Sequence, residues 1–358
     1  MTIITDSHLP TTPPIPLLPF YRPSWLDRFF DWVDRLPGPP WLFYLGLWAV
    51  LMLIQILTQW ITASQEGLMP FHFVVTLTCP YALALMHYQD IMATRSLKRF
   101  WPALDCDDEE CEFLRYRLTT MRQSMVVVGA IIGFVAGVLF LTVFPLHARL
   151  KAFYLANTAA SIHYNHAVGM ADFIIAVILM AHTINKFRTI RAILRHHTQV
   201  SIFDLRPVYA FSRMSAFTAI GLITFVYLWL WGAPVLTSQP VPAAILALLL
   251  VAAAVSMVFP LSSAHLTINA EKQRLLIESN RCYNATVAEL HRRVDANEMV
   301  DMDNLNKTIA SLEIELKWLR RVPTWPWQPE TAQLVVAALL FPIALWFVQW
   351  NLQRMLGG

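Results

Sequence analysis

Seven apolar runs decide what this chain can fold into: residues 40–62, 68–88, 124–146, 166–186, 214–233, 241–262 and 330–350. Each is about the 20 residues that a helix needs to cross the hydrocarbon of a bilayer. Composition agrees. Charged residues are 14% of the chain, against roughly 25% in a soluble domain, and the mean hydropathy is +0.48. The sequence therefore predicts an all-α, polytopic membrane protein with seven transmembrane helices. The fourth run is the least clean, because it contains Asp172.

Basic residues set the expected orientation. With the N-terminus cytoplasmic, only Arg149, Lys151 and Arg354 of the 27 lysines and arginines fall outside, leaving 24 inside. This predicts N-terminus in, C-terminus out, opposite to G-protein-coupled receptors. The predicted outer loops are short and the inner loops long and helical in pattern, so most of the extramembrane mass is cytoplasmic. The absence of a basic region followed by a short apolar run at the start argues against a signal peptide. Together with the short outer loops, it points to the cytoplasmic membrane of a prokaryote.

Residues 1–23 are Pro-rich and read as a disordered arm. Ser24 and Asp27 form a weak capping box opening an amphipathic helix over 24–37, which we expect to lie in the membrane interface with Trp25, Phe29, Trp32, Val33 and Leu36 on its apolar side. Residues 38–262 form a six-helix bundle with cytoplasmic extensions. One extension, 104–123, starts at an N-cap of Asp105 or Asp107 and is expected to run unbroken into the third span. Cys106 and Cys111 flank its acidic start without zinc-site spacing and read as incidental thiols.

Residues 263–322 read as a cytoplasmic helical hairpin. Its first arm continues the sixth span. Its second carries Leu305, Ile309, Leu312, Leu316 and Leu319 at heptad spacing, a seam that serves either as an intramolecular stalk or as an anchor for oligomerisation. Next comes a stiff collar, 323–329, holding Pro323, Trp325, Pro326, Trp327 and Pro329. Proline restricts the link and tryptophan suits the headgroup level. The seventh span, 330–350, is followed by a short outer tail, 351–358.

Gly129, Gly133 and Gly137 in the third span form a doubled GxxxG, a packing signal. Asp172 is the one acid well inside an expected span. Such groups face a water-filled cavity or a partner, so Asp172, with His163, His166 and His72, outlines a candidate ligand cavity; a plain interhelical hydrogen bond is the alternative. No metal set or cofactor motif is evident. On the last span Thr331, Val335, Ala338, Pro342, Leu345 and Gln349 share a narrow stripe, which either lines a pore or marks the membrane interfaces. Enzyme signatures such as GxSxG, HExxH, a P-loop or GxGxxG are missing, and nothing suggests nucleic-acid binding.

In this architecture, with a late Gln349 and a Thr331 that is followed by Ala332 rather than Tyr, the chain resembles the ion-channel superfamily of insect odorant and gustatory receptors, which has prokaryotic relatives. The resemblance implies a homotetramer, a pore lined by the last helix, a cytoplasmic anchor at Leu305–Trp318 and a small-molecule pocket facing outward. The expected function is then a ligand-gated, cation-permeable channel. The alternative is a non-conducting sensor or scaffold that signals through the hairpin. A transporter fits least, since no inverted repeat is visible.

Overall fold

The computed structural model describes residues 21–61, 68–101, 104, 106–143, 159–196, 206–234, 236, 240–298, 300–327 and 330–340. Among these residues the chain is helical, with an isolated antiparallel bridge between Pro23 and Arg122 and no strand. The helices are α1 Trp25–Asp34, α2 Pro40–Ile61, α3 Pro70–Phe100, α4 Asp108–Thr119, α5 Gln123–Val143, α6 Ala159–His196, α7 Arg206–Gly232, α8 Pro240–Val258, α9 Ser262–Asp295, α10 Met302–Arg321 and α11 Glu330–Leu340.

Among the described residues, five stretches are long and apolar enough to cross a membrane: Pro40–Ile61, Gln123–Thr142, Ala160–Arg195, Tyr209–Gly232 and the continuous Pro240–Asp295. This is the make-up of a multi-pass membrane protein. The second expected run lies on α3, which continues for 31 residues into a polar, basic end containing Asp90, Arg95, Lys98 and Arg99. The seventh run is represented by α11, described as far as Leu340.

Burial ranks the helices. The apolar window of α7 is 56% buried, while those of α2, α5 and α8 are 17%, 22% and 28% buried. So α7 is central, and the others turn broad apolar faces outward, as lipid contact requires. The main core gathers Met86, Ile178, Ala219, Leu222 and Val335. The three glycines of α5 do what their spacing predicts: Cβ atoms built on Gly129, Gly133 and Gly137 would meet Ile178, Ile174 and Met170 of α6.

Two expectations need correction. The first is that α4 does not run into α5. Thr120 is extended, with φ −112° and ψ 136°, and the break is held from a distance. The Asp27 carboxylate accepts from the Met121 amide at 3.2 Å, and Tyr21 Oη donates to the Thr120 carbonyl at 2.6 Å. The second concerns the cysteines: Cys106 and Cys111 are joined as a disulfide, across the N-cap that Asp107 supplies to α4. The capping box of α1 is present (Ser24 N–H to Asp27 Oδ2, 2.7 Å; Asp27 N–H to Ser24 Oγ, 3.3 Å), and Trp25 and Trp32, expected on its membrane-facing apolar side, do not pack into the bundle. Both are exposed. Leu26, Phe30 and Val33 are buried instead, and Phe30 stacks on His87 at 4.9 Å. Burial raises the Asp27 carboxyl above its ordinary value, outweighing its hydrogen bonds.

At the other end of the fold α8 passes through a 3-10 turn, Phe259–Leu261, into α9. Pro260 causes the tightening, since it has no N–H for the helical ladder. The 34 residues of α9 extend roughly 50 Å, and α10 returns against them. Leu316 and Leu319 are buried, and Leu305, Ile309 and Leu312 are half-buried. Cys282 and Val294 of α9 are exposed.

Candidate functional site

The functional candidates lie on a polar seam that α3 shares with α2, α6 and α7. At the end of the bundle away from the hairpin, Gln55 Nε2 donates to Ser161 Oγ at 3.0 Å, and Asn165 Nδ2 reaches the same hydroxyl at 3.5 Å. His72 is buried. Its Nδ1 accepts from the Met69 amide at 3.1 Å, and its Nε2 lies 3.2 Å from the Gln59 amide. Thr76 Oγ turns back on the His72 carbonyl at 2.8 Å.

Asp172 sits deeper on the same seam and is 5% exposed. Neither carboxylate oxygen has a partner in hydrogen-bond geometry, and the same holds for Gln55 Oε1 and Asn165 Oδ1. The Cys79 backbone amide of α3 lies close enough to act on Asp172 electrostatically without meeting either oxygen in line. Buried acceptors without donors are costly, and four such atoms lie along this seam.

Toward the hairpin the seam becomes ionic. Lys186 of α6 donates to Asp90 Oδ1 of α3 and to the Leu118 carbonyl at 2.9 Å. The Lys186 and Asp90 side chains are 2% and 15% exposed. His182 Nε2 lies 3.3 Å from Asp90 Oδ2, off the line of a hydrogen bond, while its Nδ1 meets Gln89 Oε1 at 3.1 Å. Gln89 Nε2 donates to Thr183 at 3.1 Å and to Thr218 of α7 at 3.4 Å. One turn along α3, His87 contacts Asp34, the last residue of α1, at 3.1 Å and Tyr44 Oη of α2 at 2.9 Å. The seam thus couples α1, α2, α6 and α7 through α3.

The collar is clamped to the start of α9. His265 stacks on Trp325 at 4.1 Å, and Trp325 on Trp327 at 4.9 Å. His265 Nδ1 donates to the Thr324 carbonyl at 3.1 Å, and Lys272 Nζ donates to the carbonyls of Val322 (2.7 Å) and Arg320 (3.0 Å). Pro326 is buried and Pro323 exposed. On α11, Thr331 and Val335 are buried and Ala338 is half-buried, with Val335 inside the chain's own core. Tyr227 Oη of α7 donates to the Leu339 carbonyl at 2.9 Å. The outward face of α11 carries Leu334, Val336 and Leu340.

Of the expected cavity residues, the fold places His72 and Asp172 on the seam and leaves His163 and His166 off it. His163 is exposed and His166 partly exposed. On a helix of 100° per residue these two lie roughly 180° and 120° from Asp172, so they do not converge on it. Pro329, Pro342, Leu345 and Gln349 lie outside the described residues. The ionic group Asp90, His182 and Lys186 is absent from the sequence-based candidates. Asp90 lies just past the end of an apolar run, where an acid reads as solvated. The available signal was His182 and Lys186, four residues apart on one face of a long apolar helix. No protein-family model, curated protein or solved structure matches this chain.

Proposed function

We propose that this chain is a subunit of a ligand-gated, cation-permeable channel in the cytoplasmic membrane of a prokaryote. In this reading seven spans run from a cytoplasmic N-terminus to an outer C-terminus. Four copies assemble, a small molecule binds on the outer part of the seam, and the last helices surround the pore. The observation that carries this reading is the clamped collar. A link held by a His265–Trp325–Trp327 stack and by Lys272 on two carbonyls makes α11 move with α9 and α10 rather than independently. The polar seam supplies the other half of the coupling, because α3 and α6 run from the unpartnered Asp172 to the ionic group beside the hairpin.

The test is the oligomer together with the current. The full chain in detergent should have the mass of a tetramer, and planar bilayers containing it should pass cation current. Replacing Val322–Pro329 by a Gly-Ser linker should leave insertion intact and make current insensitive to ligand. A monomer at all working concentrations rules out a last-helix pore. Orientation is checked at Cys282, which is exposed on α9. A membrane-impermeant maleimide should label it in lysed cells and not in intact ones; labelling in intact cells reverses the topology. That reversal would also place the Cys106–Cys111 bond in the oxidising space where disulfides are common.

One observation favours a second reading. Val335 is 4% exposed within its own subunit, so the stripe containing Thr331, Val335 and Ala338 is occupied before any assembly. A non-conducting sensor that signals through the hairpin needs no free stripe. In a channel, the pore face of α11 would instead be the one bearing Leu334 and Leu340.

A further inference from the structure

Asp172, Gln55 and Asn165 share a chemical asymmetry that the fold does not use. Their unpartnered atoms are all acceptors: both Asp172 oxygens, Gln55 Oε1 and Asn165 Oδ1. A fourth acceptor group stands on the facing helix. Pro80 inside α3 has no N–H, so the Thr76 carbonyl loses its helical donor. Asn165, Gly169 and Asp172 lie along one stripe of α6, at intervals of four and three residues. Between the two polar residues the stripe is open: a Cβ on Gly169 would meet no heavy atom of the protein within 4 Å, and Gly169 itself is partly exposed.

We propose that this stripe binds a short monocationic amino alcohol, with its ammonium on the Asp172 carboxylate and its hydroxyl donating to Gln55 Oε1 or Asn165 Oδ1. The inference rests on the outer ligand site of the proposed function and names its ligand class. Charge and geometry select the class. One carboxylate matches one positive charge, and a second buried ammonium would lack a counter-charge. An ammonium offers three donors and no acceptor, the complement of this group. A divalent cation takes about six to eight oxygens converging within about 2.6 Å, which acceptors spread over two helical turns do not supply. Two helical turns separate Asn165 from Asp172, roughly 10 Å along the axis. With hydrogen bonds of about 2.8 Å at each end, a chain of four or five carbons fits between them.

The test is calorimetric titration of the detergent-solubilised full chain with 4-aminobutan-1-ol. Saturable binding is expected, about tenfold weaker for n-butylamine and undetectable for butan-1-ol. Asp172→Asn should abolish binding. The double variant Gln55→Leu with Asn165→Leu should erase the preference over n-butylamine. Gly169→Leu should block the site while leaving the carboxylate in place, a control against misfolding of the Asp172 variant. No heat of binding to wild type, unchanged binding by Asp172→Asn, or equal binding of butan-1-ol overturns the proposal. Competition by sodium chloride at fixed ionic strength would assign the carboxylate to an inorganic cation and also overturn it. Binding without any bilayer current leaves this site standing and removes the channel reading. Current with no heat of binding does the reverse.

Discussion

Replacing Lys186 by Met should destabilise the protein by about 3–5 kcal/mol, the usual cost of stranding one partner of a buried ion pair. The Lys186 ammonium is the main counter-charge to Asp90, and both side chains are largely withdrawn from solvent. Methionine keeps the stem's volume but leaves the Asp90 carboxylate with His182 alone and the Leu118 carbonyl without its donor. The double variant Asp90→Leu with Lys186→Met should recover most of the loss, because a buried pair exchanged for apolar groups is often neutral. Thermal unfolding of the detergent-solubilised protein, read for both single variants and the double, checks this. A Lys186→Met protein melting with wild type would mean that the ionic group is solvated and holds nothing. If the double variant is stable yet no longer answers ligand, the ionic group serves transmission rather than folding.

The second large effect is expected at Gly133. A Cβ there would stand 2.6 Å from the Ile174 Cα and 2.8 Å from the Phe173 carbonyl oxygen, both backbone atoms that cannot rotate away. Gly133→Ala therefore has to push α5 off α6, at a cost of about 1–3 kcal/mol, and Gly133→Leu should leave no monodisperse protein after size-exclusion chromatography. The neighbouring glycines set the scale. At Gly137 the nearest atom is the Met170 Sδ at 2.7 Å, the end of a flexible side chain, and at Gly129 it is Ile178 Cγ1 at 3.4 Å. The order of damage should be Gly133, then Gly137, then Gly129. A flat ranking would show that the two helices are not in close backbone contact.

The helical hairpin illustrates how far local pattern reaches. Its heptad residues are read from spacing, and Leu316 and Leu319 are buried as that spacing requires. The partner of the seam is another matter. Spacing allowed an intramolecular stalk or an anchor between copies, and in the folded chain α9 covers the seam. Exposed ion pairs finish the hairpin tip. Arg292 and Arg293 hold the Glu289 carboxyl down at about 2, which at such an exposed position contributes little to stability.

The seam between α3 and α6 shows where pattern stops. Asp172 stands out in sequence because an acid inside an apolar run is costly. Its companions Ser161 and Asn165 do not, since a neutral polar residue in a span is common and says nothing about which helix it meets. Asp90 fails for a different reason. It lies past the apolar run, and only the packing of α6 along α3 takes it out of water. The break at Thr120 is similar. Nothing between 107 and 123 stops a helix locally; Asp27 and Tyr21, nearly a hundred residues earlier, capture its backbone groups.

By itself the sequence determined the all-helical class, the apolar stretches, the packing glycines, the capping box of α1 and the hairpin, because each follows from hydrophobicity or from hydrogen bonds within a few residues. Only the tertiary structure decided which face of α1 and α11 is buried, where α4 ends, that Cys106 and Cys111 are bonded, and that Lys186 finds Asp90 while Asp172 finds no donor. Those outcomes depend on which helices become neighbours, and a side chain's electrostatic surroundings are set by residues distant in sequence that the fold brings within a few ångströms.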